Sequence, residues 1–305
     1  MVKNNQKLPL HHYLSLKKEA LAIMEGIIDI NYKFNFKMYN IETLQISSTN
    51  PCLIVYMLDQ SGSMADDFSG GGSKAQKLAE SINEIIFETG LKCYDSSGTI
   101  KNRFELSVIG YGAIKNGIEP AWEGNLRDHW VVSISDVFNN PINNPNENPV
   151  WITPKAVGQT PMAEAFENVY RICEAWINWG NHRDCHPPIV INITDGVATD
   201  GGMNQQRLIQ VVNNLKSLRT NYGGVNVFNI HISGSEGDSI LFPLSMQNSN
   251  SYAQLLFDLS TPLNDNMIKN ARVMNYDVKQ GAKGYVFNGN AKHLMDFLNI
   301  GSQLV

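Results

Sequence analysis

Cysteine is scarce in this 305-residue chain. Its four cysteines, Cys52, Cys93, Cys173 and Cys185, are too few and too scattered for a disulfide framework, and Cys52 sits inside an apolar run. They read as reduced thiols in a reducing compartment. Positive charge is also in short supply: 24 Lys and Arg against 29 Asp and Glu give a formal net charge of −5. That balance offers no broad positive field to gather phosphates, which removes the usual driving force for sequence-independent nucleic-acid binding. No uninterrupted apolar stretch approaches the roughly 18 residues that a membrane span needs. The N-terminus MVKNNQKLPLHHYLSLKK has no signal-peptide core, and the later stretch ALAIMEGIIDI is broken by Glu25 and Asp29. A cytoplasmic protein is expected, with neither nucleic acid nor membrane as partner. Internal repeats and low-complexity tails are lacking too, so at this length the expectation is one domain with a modest extension.

What the chain does hold is an alternation of helix and strand patterns. Leu14, Leu21, Met24, Ile27 and Ile28 fall at helical spacing, and a polar/aromatic alternation over 32–41 follows. These assign residues 1–48 to an N-terminal extension of a helix and a strand, and 49–305 to the main domain. Asn50-Pro51 closes the extension, and CLIVYML is then apolar on both faces, as a buried central strand is. A helix is predicted over 74–91, a strand over 104–111 and a short strand over 130–134. The Asn- and Pro-rich stretch 139–149 is a loop. Helix follows over 161–179, strand at IVINIT, helix over 208–218, strand at VNVFNIHI, a short strand at LLFDLS, strand at GYVFNG and helix at AKHLMDFLNI. The order predicts an α/β fold with a doubly wound, mostly parallel central sheet and helices on both faces.

Ligands of such sheets bind beyond the carboxyl ends of the strands, so the residues just after each apolar run matter most. After the first run comes Asp59-Gln60-Ser61-Gly62-Ser63-Met64, and after IVINIT comes Asp195-Gly196. Between them, Gly158-Gln159-Thr160-Pro161-Met162 opens a helix, with Thr160 placed as its N-cap and Pro161 as its first residue. Asp59, Ser61, Ser63, Thr160 and Asp195 offer hard oxygens without His or Cys, a set suited to Mg²⁺, Mn²⁺ or Ca²⁺ rather than zinc.

This set resembles the metal-ion-dependent adhesion site of von Willebrand factor A (vWA) and integrin I domains. Their pattern is Asp-x-Ser-x-Ser, a distant Thr, and a distant Asp followed by Gly. The resemblance covers about residues 50 to 302, and every motif position is filled by the expected residue type. It implies that Ser61 and Ser63 bind one Mg²⁺ through their hydroxyls, with Mn²⁺ or Ca²⁺ as alternatives. Thr160 would bind directly or through water, and Asp59 and Asp195 mainly through bridging waters. It implies in turn a non-enzymatic module that grips an Asp or Glu carboxylate of a protein partner, such as an AAA+ ATPase of the MoxR type or a component of a kinase and phosphatase system. Physically, three neutral hydroxyls leave much of the cation's charge uncompensated, and that residual charge attracts an incoming carboxylate.

Other readings compete. A metal-assisted phosphohydrolase also begins with an Asp at a strand end, but it needs a base or nucleophile near the metal, and no His falls within the three motif segments. A structural subunit of an ATPase complex would use the metal only to fix its loops. Gly70-Gly71-Gly72-Ser73-Lys74 lacks the Gly-Lys-[Ser/Thr] ending of a phosphate loop and reads as a flexible rim. His182, Asp184, Cys185 and His186 come from one short loop with no second ligand pair, and Asp66, Asp67 and Asp200 read as solvated rim residues. Trp176 and Trp179, three apart on a helix, read as packing.

Overall fold

The computed structural model describes Leu44 and residues 46–302, apart from 69–70, 114–116, 144–146, 234–237 and 247–249. They belong to one compact unit, Met38–Val305. The helix and strand expected over 14–41 fall outside the described residues.

The first apolar run forms β1, Cys52–Asp59, buried at every residue. Cys52, Ile54, Tyr56 and Leu58 enter one core, and Leu53, Val55 and Met57 enter another. Successive side chains of a strand point to opposite faces, so a strand apolar throughout must be covered on both sides. The strands that follow are β2 (Phe104–Tyr111), β3 (Ile118–Pro120), β4 (Val132–Ser133), β5 (Ile189–Thr194), β6 (Arg219–Thr220), β7 (Gly223–Gly224), β8 (Asn226–Ile232), β9 (Ile240–Leu241) and β10 (Tyr285–Gly289). Among the described residues, the main sheet has the order β3-β2-β1-β5-β8-β10-β9, with β4 also paired to β2. The inner strands β2, β1, β5, β8 and β10 run parallel. The short β3, β4 and β9 join antiparallel, and β6 and β7 make a separate hairpin.

Helices cover both faces. On the Ile54 side lie α1 (Lys74–Leu91) and α2 (Ile134–Phe138), and on the Val55 side α3 (Met162–Trp179), α4 (Gln206–Ser217) and α5 (Ser251–Leu259). Two more, α6 (Asp265–Val273) and α7 (Ala291–Ser302), return to the Ile54 side. This is a doubly wound α/β fold. Among the described residues no helix is long and apolar enough to cross a membrane.

A polar chain crosses the Val55 face. Tyr111 Oη donates to Asn192 Oδ1 at 2.9 Å, Asn192 Nδ2 donates to Asn229 Oδ1 at 3.0 Å, and Asn229 Nδ2 reaches Ser260 Oγ at 3.0 Å. All four residues are buried, and Asn192 and Asn229 are direct register partners.

The structure departs from the sequence reading in four places. LLFDLS belongs to helix α5, not a strand: Asn250 Oδ1 caps it by accepting from Tyr252 N and Ala253 N, and Tyr252, Ala253, Leu256, Phe257 and Leu259 are buried at helical spacing. A six-residue apolar run does not separate helix from strand by periodicity. The strand expected over 130–134 shrinks to β4, with Ile134 already helical. Four short strands, β3, β6, β7 and β9, and helices α2 and α6 were not anticipated. The N-cap of α3 is Pro161, with no side-chain cap of its own, so Thr160 does not cap that helix.

Candidate functional site

The parallel strands occur in the order second, first, third, fourth, fifth, so the winding direction reverses between β1 and β5. That is the topological switch point, and the crevice lies beyond the carboxyl ends of these two strands. Asp59 is the last residue of β1, and Asp195 directly follows β5.

Asp59 is buried. Its Oδ1 accepts from Ser61 N at 2.9 Å and its Oδ2 from Thr194 Oγ1 at 2.7 Å. Burial pushes the Asp59 carboxyl up to about 6, the bonds from Ser61 and Thr194 oppose the rise, and the Asp195 charge adds to it. Residues 62–65 turn through a short 3-10 helix that leaves Ser63 exposed. Ser61 Oγ and Ser63 Oγ stand 3.2 Å apart, and Ser63 Oγ donates to Asp195 Oδ1 at 2.7 Å.

The third segment is stitched to the first two through its backbone. Gly62 N donates to Gly158 O at 2.8 Å, Val157 N to Gln60 O at 2.9 Å, and Thr199 N to Thr160 O at 2.9 Å. Gly112 makes this approach feasible. Its φ is +102°, and a Cβ there would stand 2.2 Å from Gln159 O and 3.3 Å from Ser61 N. Thr160 is buried, and its Oγ1 lies 3.9 Å from where a Cβ on Gly196 would stand. The five residues singled out from the sequence thus sit on loops that meet at one edge of the sheet.

Three residues at this edge were not foreseen. Lys74, the first residue of α1, is not part of a mobile rim: its Nζ lies 2.8 Å from Asp195 Oδ2, 3.3 Å from Asp66 Oδ2 and 3.3 Å from Ser63 O. Asp200 does not project into solvent as a rim charge: its Oδ1 accepts from Ala163 N at 2.9 Å and its Oδ2 from Glu164 N at 2.8 Å, so it caps α3 from a distance. His231 pairs with Thr194 across the strands, accepts from Asn288 N at Nδ1 and hydrogen-bonds the Asp195 backbone. Burial holds its imidazole below the usual value. Aligning the ends of IVINIT and VNVFNIHI would have found His231, but nothing local marks Asp200.

The other cluster weighed from the sequence disperses. His182 stacks on Trp176, Asp184 accepts from Asn221, and His186 is buried beside Cys52. Trp176 is buried and donates to Glu105, whereas Trp179 is exposed.

The donor set was tested against a hard dication. Among the described residues no three His, Cys, Asp or Glu side chains gather as a metal cluster. The oxygens at the switch point belong to a mixed set of two carboxylates and hydroxyls. An octahedral shell with bonds of about 2.1 Å puts neighbouring oxygens about 3 Å apart. The 3.2 Å from Ser61 Oγ to Ser63 Oγ and the 2.7 Å from Ser63 Oγ to Asp195 Oδ1 are compatible with that spacing.

No family model and no curated protein matches the chain. Among solved structures it is similar to the manganese-loaded TRAP protein of Plasmodium vivax, at 14% identity over 83% of this chain and 73% of that one, with a TM-score of 0.41. It is similar to the minor pilin PilB of Streptococcus sanguinis, at 10% identity over 82% and 60%, with a TM-score of 0.41. The pilus adhesin SpaC of Lactobacillus rhamnosus GG matches at 13% identity over 82% and 30%, with a TM-score of 0.38. At these values no residue role carries over from them.

Proposed function

We propose that the chain is a vWA-type recognition module that holds one Mg²⁺, or Mn²⁺ or Ca²⁺ in its place, and through it binds an Asp or Glu carboxylate of a protein partner. Ser61, Ser63 and Thr160 would hold the cation through hydroxyl oxygens, with Asp59 and Asp195 supplying the negative charge around it. The observation that carries this reading is the meeting of Asp59, Ser61, Ser63 and Asp195 within hydrogen-bond distances at the switch point. When bound, the cation would supply an electrophilic position for the partner's carboxylate.

A protein rather than a small anion is favoured by what surrounds these oxygens. Val157 and Val197, on the loops that carry Gly158 and Asp195, are 69% and 51% exposed. Apolar side chains beside a polar centre suit a partner whose acidic residue is flanked by apolar ones. An AAA+ ATPase or a kinase and phosphatase system component remains the partner class we propose, in the cytoplasm, where the four unpaired buried thiols would stay reduced.

We read the module as non-catalytic. His231 is the imidazole paired beside Thr194 in the strand register, and its Nδ1 is taken up by Asn288 N at 3.3 Å.

The test is metal dependence. At a hundredfold excess over its Kd, Mn²⁺ adds about 2.7 kcal/mol, which raises Tm by roughly 5–10 °C for a domain of this size. The chelated protein stays folded, because the core does not involve the metal. Capture of a partner should vanish in chelator and in Ser63→Ala. Binding that persists in both would overturn the reading.

A further inference from the structure

The Asp195–Lys74 pair is not an ordinary surface ion pair. The Asp195 side chain is 1% exposed and that of Lys74 is 9% exposed. Both Asp195 oxygens are engaged, one by Ser63 Oγ and the other by Lys74 Nζ. The ammonium is also tethered at its base: Ser73 caps α1 by accepting from Gln76 N, and Lys74 N donates to Asp66 O at 3.0 Å. A buried charge without compensation costs several kcal/mol. In the metal-free protein, Lys74 is the group that compensates Asp195, while Asp66, its other carboxylate partner, is 68% exposed and screened by solvent.

A dication held by Ser61, Ser63 and Thr160 would share this small space with a fixed positive charge. Two carboxylates alone would neutralise a dication. With Lys74 present, the loaded site keeps about one unit of positive charge. We propose that Lys74 is a built-in competitor for the cation, weakening metal affinity while making the loaded site a stronger attractor of a partner's carboxylate. This rests on the metal-dependent reading above and adds to it a device that sets how readily the site loads. A lysine serving only to brace the loop would predict a different result, since its removal would loosen the site and lower metal affinity.

The experiment compares the full chain with Lys74→Met and Lys74→Arg. Mn²⁺ binding is followed by the loss of the free-ion EPR signal, and Tm is measured in chelator and in Mn²⁺. Lys74→Met should bind Mn²⁺ roughly tenfold tighter or more, the scale expected when a unit charge several ångström from a dication is removed. It should melt earlier than wild type in chelator and recover in Mn²⁺, because the cation then replaces the missing ammonium. Lys74→Arg keeps the charge and should bind Mn²⁺ as wild type does. If Lys74→Met fails to fold in chelator, folding in the presence of Mn²⁺ followed by competition with graded chelator reads the same affinity. Wild type that binds Mn²⁺ with Lys74→Met binding no tighter overturns this proposal alone. Mn²⁺ bound by neither protein overturns this proposal and the metal-dependent reading together. Mn²⁺ bound by Lys74→Met but not by wild type supports the competition and overturns metal-dependent recognition by the native chain.

Discussion

Strand β1 buries a polar group at each end. At its first residue the Cys52 thiol lies 3.6 Å from His186 Nδ1, and at its last the Asp59 carboxylate feels the charge of Asp195 across the switch point. At the Cys52 end every shift favours the uncharged form. Burial pushes the thiol well above its ordinary value, with Cys185 adding to the rise, and burial holds the His186 imidazole down. Two neutral groups beside the Pro187 carbonyl need nothing further. At the Asp59 end, two buried carboxylates stand near each other; Lys74 pairs with Asp195, while Asp59 is held only by Ser61 N and Thr194 Oγ1. The two ends are similarly buried, and only one carries a deficit of positive charge. On the metal-dependent reading proposed above, that deficit is what a cation would fill.

The largest expected effect breaks the Asp59 end outright. Asp59→Ala should weaken Mn²⁺ binding by roughly 100-fold and abolish metal-dependent capture. In chelator at pH 7 it should be as stable as wild type or slightly more so. A buried carboxyl held at about 6 implies a penalty of about 3 kcal/mol for its charge even after the bonds from Ser61 and Thr194 have offset part of the cost of burial. A destabilised variant that still binds Mn²⁺ would reduce Asp59 to a turn former and erase the contrast.

The next effect separates the ends by pH. The folded Asp59 holds a proton that the unfolded chain releases near 3.8, so as pH rises from about 4 to about 6 the metal-free protein should lose up to about 3 kcal/mol of stability. His186 acts with the opposite sign. Its folded value is lowered, so its contribution is present above about 6.5 and is lost as pH falls below it. Denaturant midpoints from pH 4 to 7 in chelator should therefore lose their downward component in Asp59→Asn and their upward component in His186→Gln. Identical profiles for both variants and wild type would remove the electrostatic difference between the ends.

The smallest effects concern the third segment. Asp200→Ala should cost about 1–2 kcal/mol, since it leaves two amides of the first turn of α3 without their acceptor. Thr160→Ala should cost no more than about 0.8 kcal/mol, from the loss of a buried methyl, and still weaken metal-dependent binding, because its hydroxyl is not a cap. Equal costs for the two variants, read from urea midpoints, would return the capping role to Thr160.

Legibility in the sequence followed the range of the interaction. The bounds of α1, β2 and β5 were read to the residue, and those of β1 nearly so, because each is a long periodic run or a two-sided apolar run between clear breaks. The residues Asp59, Ser61, Ser63, Thr160 and Asp195 were legible because strand ends and hard oxygens both mark them. Lys74 was misread because its reach into the site depends on Lys74 N meeting Asp66 O and on Asp67 pairing with Ser73, which no local pattern encodes. Asp200 was misread because the helix amide it binds, Ala163 N, lies 37 residues earlier in the chain. Helix α5 was missed because its cap, Asn250, ends a polar stretch that resembles any other loop.

The polar chain from Tyr111 through Asn192 and Asn229 to Ser260 bears on how this sheet assembles. On the Ile54 face β5 presents Ile189, Ile191 and Ile193 and β8 presents Phe228, Ile230 and Ile232, so on that face a slip of two residues would show the helix layer nearly the same apolar surface. Hydrophobic matching alone gives such strands little to choose their alignment by. A slipped pair would strand the Asn192 and Asn229 amides away from their partners, at about 1–3 kcal/mol for each orphaned group. The ladder therefore acts as a latch during folding that discards misaligned pairings, and by fixing Thr194 opposite His231 it sets how far beyond the sheet Asp195 stands.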